Sequence, residues 1–322
     1  MRYGAPGAAH ARLYSELVRI LVTGPSGAIG DALARALAGS HELRGLARDP
    51  ARVAGGLPLE LIRGDARSGD GLARALDGVE VAYYLIHSME PAPGEGFAQR
   101  DRTAAQRFAA ASVAAGVRRI VYLGGLSDAT ARRPSAHLAS RGEVEQILLA
   151  AVPDSVALRA SLVIGARSRS FRAIVRLIER LPVLPLPPWR RHRTQPIDER
   201  DAIGYLVAAG EHAGAGGQAY DIAGPQLLSY GQMIERIAAL LLLRRPALRL
   251  PLNLDRLSSA FASRVSGERL ELLGPLMGSL HGDLVADDAA ARATFSVPLH
   301  SFDAAVEHAL REWEEIEPLG AR

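Results

Sequence analysis

Ile20-Leu21-Val22-Thr23-Gly24-Pro25-Ser26-Gly27-Ala28-Ile29-Gly30 sets an apolar run against a glycine-rich turn and then the helical pattern Asp31-Ala-Leu-Ala-Arg-Ala-Leu37. A strand that ends in such a turn and feeds a helix presents bare backbone N–H groups and the positive end of the helix dipole to an anion. With the glycines at this spacing, the anion is the pyrophosphate of a dinucleotide, held by Gly24, Ser26, Gly27, Ala28, Ile29 and Gly30.

The same alternation continues downstream. Strands are expected over 42–47, 60–62, 81–86, 119–123 and 155–159, with helices over 68–76, 97–115 and near 140–149. Continuous Val/Ile/Leu strands separated by amphipathic helices predict an α/β fold: a doubly wound parallel (Rossmann) sheet with ligand at the carboxyl ends of its strands. After Gly165 the texture changes. A helix over 171–180 precedes the proline-dense segment 181–189, where regular helix or central strand is not expected. Asp198 can cap a helix to 209, residues 218–222 read as a strand rejoining the sheet, and Ser229 with Gln232 forms a capping box. The expected organisation is a Rossmann domain over 18–165, with 194–225 rejoining its sheet. A smaller, mainly helical C-terminal lobe comes from 166–193 and 226–316, and residues 1–17 form a loose extension.

Composition closes several chemistries. The chain of 322 residues has no cysteine, and all 38 of its Lys+Arg residues are arginine, so thiolate nucleophiles, disulfides and Schiff-base lysines are impossible. The net charge is only +3 and the arginines are dispersed, which argues against nucleic acid as a partner. The longest apolar run, 237–243, is far short of the roughly 20 residues that span a bilayer, so a cytoplasmic protein without a membrane partner is expected. No His-Glu-x-x-His or comparable spacing supports a metal site, and no Gly-x-Ser-x-Gly elbow is present.

Past the second strand, Leu46-Ala47-Arg48-Asp49 puts a guanidinium where a ribose 2′-phosphate would sit. Arg48, with Arg44 as a second candidate, favours NADP(H) over NAD(H). Asp49 keeps NAD open, although its place before Pro50 equally suits a helix cap. Asp65, after the third strand, is a candidate for the adenine amino group or for a turn cap.

Four features in this order carry a family resemblance: the Thr-Gly-x-x-Gly-x-x-Gly turn, Ala47-Arg48-Asp49-Pro50, Tyr83-Tyr84-Leu85-Ile86-His87-Ser88-Met89 and Tyr122-Leu123-Gly124-Gly125-Leu126. The chain resembles the atypical short-chain dehydrogenase/reductases, closest to the YbjT-like and NmrA-like NAD(P)-binding proteins. The likeness continues through Gln195-Pro196-Ile197 and 220–225. It implies that Leu85, Ile86 and His87 line the coenzyme after the fourth strand, and that Gly124 and Gly125 line the nicotinamide side after the fifth.

The chain departs from the family at the catalytic positions. Ordinary members carry a Ser or Thr after the fifth strand and a Tyr-x-x-x-Lys pair on the next helix. Here Gly125 stands at the hydroxyl position and the best candidate pair is His137-Leu-Ala-Ser-Arg141. Spacing of four puts His137 and Arg141 on one helical face, where the guanidinium can anchor a ribose and lower the imidazole pKa, leaving His137 able to exchange protons near neutrality. Ser127 and Ser140 are weaker replacement hydroxyls, and Tyr122 is expected to face the sheet packing. Arg167, Arg169 and Arg172, with Trp189 as an aromatic wall, form a weaker candidate for an anionic substrate tail. The expected function is an NADPH-dependent oxidoreductase on a small carbonyl or alcohol substrate. The alternative is a non-catalytic NADP(H) sensor that reports to a regulatory protein partner.

Overall fold

Side chains along the apolar strands alternate between two cores, and this alternation builds the sheet. The structure, a computed structural model, describes residues 17–87, 96–126, 135–249 and 280–319. Its strands are β1 (Arg19–Thr23), β2 (Glu42–Ala47), β3 (Glu60–Arg63), β4 (Val81–Tyr84), β5 (Arg119–Gly125) and β6 (Val156–Ala160). Short strands follow: β7 (Val163–Ile164), β8 (Leu184–Leu186), β9 (Arg193–Thr194), β10 (Ile197–Asp198), β11 (Gln218–Asp221), β12 (Leu228–Ser229) and β13 (Ala247–Arg249). One 7-stranded sheet runs in the order β11-β6-β5-β4-β1-β2-β3, every neighbouring pair parallel. The order reverses between β1 and β4, and in a doubly wound sheet the crevice at that point takes the ligand.

Ile20, Val22, Val81, Tyr83, Val121 and Leu123 face one layer, which holds α1 (Ala28–Leu37) and α6 (Glu199–Glu211). Leu21, Ala82, Tyr84, Ile120 and Tyr122 face the other, which holds α2 (Leu72–Leu76), α3 (Phe97–Ala114) and α4 (Ala136–Ala151). A third core fills the C-terminal helical lobe, where Phe171 of α5 (Arg169–Arg180) and Met233 of α7 (Tyr230–Leu240) meet Trp313 of α9 (Phe302–Ile316). Between α7 and α9, α8 (Ala289–Thr294) closes over the first core through Ala291. The remaining short strands pair β10 with β7, β12 with β9 and β13 with β8.

Several boundaries move for local reasons. The fourth strand stops at Tyr84, because the Leu85 amide donates to the Thr23 hydroxyl at 2.9 Å. The fifth extends to Gly125, paired with Ala160. Helix α2 starts at Leu72 because residues 65–71 form a tight turn: Arg67 N–H donates to Asp65 Oδ1 and Gly71 adopts φ +74. Helix α4 begins early because Ser135 accepts from the Leu138 amide. Within the proline-dense segment, β8 forms and pairs with β13 outside the main sheet.

At the foot of the sheet, away from the carboxyl ends of the strands, two arginines close helix ends. Arg119, whose side chain is 0% exposed, donates to the carbonyls of Ala209 (2.9 Å) and His212 (2.8 Å) at the end of α6, and to Asp154 Oδ2 at 2.6 Å. Arg44 does the same for α2, donating to the carbonyls of Arg74, Ala75 and Asp77 and to Glu60 Oε2. Arg44 is thereby removed as a candidate for a ribose phosphate, because its guanidinium is committed to a helix terminus. Replacing Arg119 with Met leaves those carbonyls and Asp154 unpaired, and is expected to lower the unfolding free energy by about 3–5 kcal/mol, read from urea midpoints.

Candidate functional site

The turn after β1 is shaped by contacts that leave room for hydrogen alone. Gly24 has φ +66, and a Cβ at Gly30 would lie 2.2 Å from the Gly24 carbonyl oxygen. Helix α1 can therefore start directly against the turn. Its cap residue, Gly27, brings no side chain to the helix amides, while Ser26 and Gly27 are exposed. The Thr23 hydroxyl donates to the Tyr83 carbonyl at 3.0 Å and accepts from the Leu85 amide, which locks the end of β1 to the end of β4. Bare amides, an uncapped helix start and a fixed crevice suit a diphosphate. Of the positions expected to hold it, Gly24, Ser26 and Gly27 lie on this turn and Ala28, Ile29 and Gly30 in the first turn of α1.

Beyond β4 and β5 lie Leu85, Ile86 and His87, and then Gly124 and Gly125. Ser88, Met89 and Ser127 lie outside the described residues. His87 keeps an exposed edge, yet desolvation of its ring lowers its pKa to about 3, and Arg141, His137 and Arg169 act the same way. His137, in the first turn of α4, is half-buried, and burial followed by the Arg141 charge lowers its pKa to about 4. The sequence expectation of proton exchange near neutrality is therefore corrected. His137 is a neutral imidazole at pH 7, and burial, more than Arg141, is the cause. Arg141 donates to the Leu123 carbonyl at 2.6 Å and lies 5.3 Å from the centroid of the Tyr122 ring. Tyr122 is buried against Tyr84 in the layer beneath. The hydroxyl position is tight: a Cβ at Gly125 would meet Leu138 Cδ2 at 3.2 Å, and the leucine would have to give way by a few tenths of an ångström.

Other expected residues are placed differently. Ser140 is buried and donates to Asp101 Oδ2 at 3.3 Å, so it holds α4 to α3. Asp65 caps the turn before α2. Asp49 accepts from the Ala51 amide at 3.1 Å, and Arg48 beside it is exposed. Trp189 is 7% exposed and packs edge-on against Tyr230 in the lobe core, so it offers no wall to a ligand. Arg172 pairs with Glu317 and stacks over Trp313. Arg167 pairs with Asp31 and donates to the Ser26 carbonyl. Arg169 is exposed at the start of α5 and acts on His87.

Two clusters were not read from the sequence. Asp198, Asp201 and His300 offer ligand atoms within 4.8 Å of one another. Arg200 already binds Asp198 at 2.6 Å, and the His300 amide donates to Asp201 at 2.8 Å, so the cluster ties α6 to the chain entering α9. Glu199 packs against Gly165, where an added Cβ would overlap its carboxylate at 1.6 Å. Burial and the neighbouring Glu312 raise its pKa to about 7, while Arg167 pulls it down. No local pattern signals these pairs, because the partners come from distant segments.

Residues 24–161 match the NAD(P)H-binding family. The chain contains a Rossmann-type domain, and residues 24–161 of it resemble that family. Two relatives are reductases. The ceramide reductase of Caulobacter vibrioides is 30% identical over 59% of this chain and 60% of its own length. The chain thus spans less than two thirds of that relative. The (4-alkanoyl-5-oxo-2,5-dihydrofuran-3-yl)methyl phosphate reductase of Streptomyces griseus is 28% identical over 69% of this chain and 73% of its own. Among solved structures, MoeE5 in complex with UDP-glucuronic acid and NAD superposes with TM-score 0.71 at 20% identity, covering 93% of this chain and 100% of that one. UDP-glucuronic acid 4-epimerase from Bacillus cereus in complex with NAD gives TM-score 0.69 at 17% identity, covering 94% and 100%.

These neighbours correct the coenzyme expectation. Both were captured with NAD, which favours NAD(H) over the NADP(H) expected from Arg48. At the rim of β2 the exposed Arg48 is followed directly by Asp49, whose carboxylate accepts from the Ala51 amide and would offset the Arg48 charge toward a 2′-phosphate. The chain is similar in sequence to two reductases and in fold to epimerase structures, and no helix among the described residues is long and apolar enough to cross a membrane.

The Glu199 shift has a sign that can be checked. Its folded pKa lies above that of the unfolded chain, so its contribution is most favourable below the unfolded value and falls as pH rises toward about 7. Glu199→Gln is expected to raise the unfolding free energy at pH 8 by up to about 3 kcal/mol, read from urea midpoints, with little effect at pH 4.

Proposed function

We propose that this protein is an NAD(H)-dependent oxidoreductase acting on a small carbonyl or alcohol compound held beyond the ends of β4 and β5. The observation that carries the reading is the grouping of His87, His137 and Arg141 there, the two histidines with pKa values depressed far below neutrality. The two reductases among its relatives agree with it. Within the extended and atypical short-chain dehydrogenase/reductases, the segments 83–89 and 122–126 support a YbjT-like or NmrA-like subgroup.

The bound nicotinamide supplies or accepts the hydride. In this reading the amides at the start of α1 hold the diphosphate, and Asp49 accepts from the adenosine ribose. A neutral imidazole N–H on His137 donates to the substrate carbonyl oxygen, much as a depressed-pKa histidine polarises a carbonyl elsewhere. The Arg141 charge favours the oxyanion that develops, and that oxygen takes its proton from water. Gly124 and Gly125 keep β5 low beside the reacting carbon.

A second reading, a non-catalytic coenzyme-bound sensor with a regulatory protein partner, is favoured by one observation. The hydroxyl position is glycine, and neither nearby histidine is an acid at pH 7. The sensor requires different partner affinity for the protein with NAD and with NADH.

Incubation with NADH and a panel of carbonyl compounds, followed by nicotinamide absorbance, should show turnover. Coenzyme binding without turnover on any class would overturn the first reading. With an accepted substrate, His137→Ala is expected to lower kcat by about 10–100-fold with coenzyme affinity unchanged. The wild-type kcat profile should show no histidine inflection between about pH 6 and 8.

A further inference from the structure

Arg167 lies just past β7, on the segment that leaves the sheet for α5, yet its side chain turns back to the turn after β1. Its Nη1 stands 3.0 Å from Asp31 Oδ2, and Nη2 donates to the Ser26 carbonyl at 3.4 Å. Asp31 is in the first turn of α1, 7% exposed, and Arg35 also holds it, with Nε 3.1 Å from Oδ2. Such a carboxylate suits the helix dipole by itself. It also stands one turn from amides that face a diphosphate, and there its charge opposes the ligand. The Ser26 carbonyl adds a negative dipole end on the same loop. Arg167 answers both, and its charge also acts on Glu199.

We infer that Arg167 is a coenzyme-positioning residue: Arg35 already pairs with Asp31, and the Arg167 guanidinium adds a second cation that also braces the Ser26 carbonyl, so that the turn presents a net positive face to the diphosphate. The inference rests on the coenzyme reading above and replaces the substrate-binding role expected from sequence. It also makes the first residues of the C-terminal lobe part of the coenzyme site, because Arg167 belongs to the chain that enters α5.

Isothermal titration of the full chain with NAD and with adenosine separates the possibilities. Arg167→Ala is expected to weaken NAD binding about tenfold at low salt, less at high salt, and to leave adenosine binding within about twofold. Arg167→Lys, which keeps the charge, should retain NAD affinity within about threefold. Asp31→Asn added to Arg167→Ala should restore NAD affinity, a rescue that a purely structural strap would not give. Unchanged NAD affinity in Arg167→Ala, an equal loss for adenosine, or failure of the rescue would each overturn the inference. Absence of NAD binding by the unaltered chain would instead overturn the coenzyme reading, and this inference with it.

Discussion

No side chain fits at position 30. The Gly24 carbonyl oxygen occupies the place a Cβ would take, and this contact lets α1 begin against the end of β1. The helix dipole and its free amides then open into the crevice where the strand order reverses between β1 and β4. Thr23 holds the two sides of that crevice together by bonding to both the carbonyl of Tyr83 and the amide of Leu85. The rest of the candidate site is placed relative to this corner: β4 delivers His87, β5 delivers the glycines, and α4 lays His137 and Arg141 beside them.

In a chain without lysine, guanidinium groups perform the tasks that need a cation. At the foot of the sheet, Arg119 and Arg44 each gather several carbonyls at a helix end, which suits a planar group with five donors. At the carboxyl ends of the strands, Arg141 ties α4 to Leu123, and Arg159 of β6 joins Glu145 of α4 to Asp221 of β11. The cations that frame the site are therefore also the ties that hold its elements in register. This dual use explains why the candidate active-site arginine is half enclosed, and its charge adds to the burial that keeps the neighbouring imidazole neutral.

The electrostatic division across the site follows from burial. Histidines near β4 and β5 are neutral because enclosure and positive neighbours both disfavour a charged ring. On the far side of the phosphate turn, Glu199 retains a proton up to about pH 7, because enclosure and a second carboxyl both disfavour its anion. Under the proposed function, chemistry between β4 and β5 would run by polarisation and fixed charge, with the mobile proton left to solvent.

The sheet, its helices and the phosphate turn could be read from the chain because each depends on local signals: two-residue alternation, caps, and glycines at fixed spacing. Asp65 as a turn cap and the capping box at Ser229 belong to the same class. Contacts between distant segments left no such trace. Arg44 looked like a phosphate ligand from its neighbours in sequence but meets α2 in space. Trp189 sits among arginines along the chain but among apolar side chains in the lobe. Arg167 meets Asp31 across most of the domain. The choice between NAD and NADP followed a single exposed arginine and was reversed by structural neighbours, since two adjacent residues of opposite charge, Arg48 and Asp49, give no order of dominance until their placement is known. Periodicity and turn chemistry are properties of neighbouring residues, whereas the partner of a charged side chain depends on which segments the fold brings within a few ångströms.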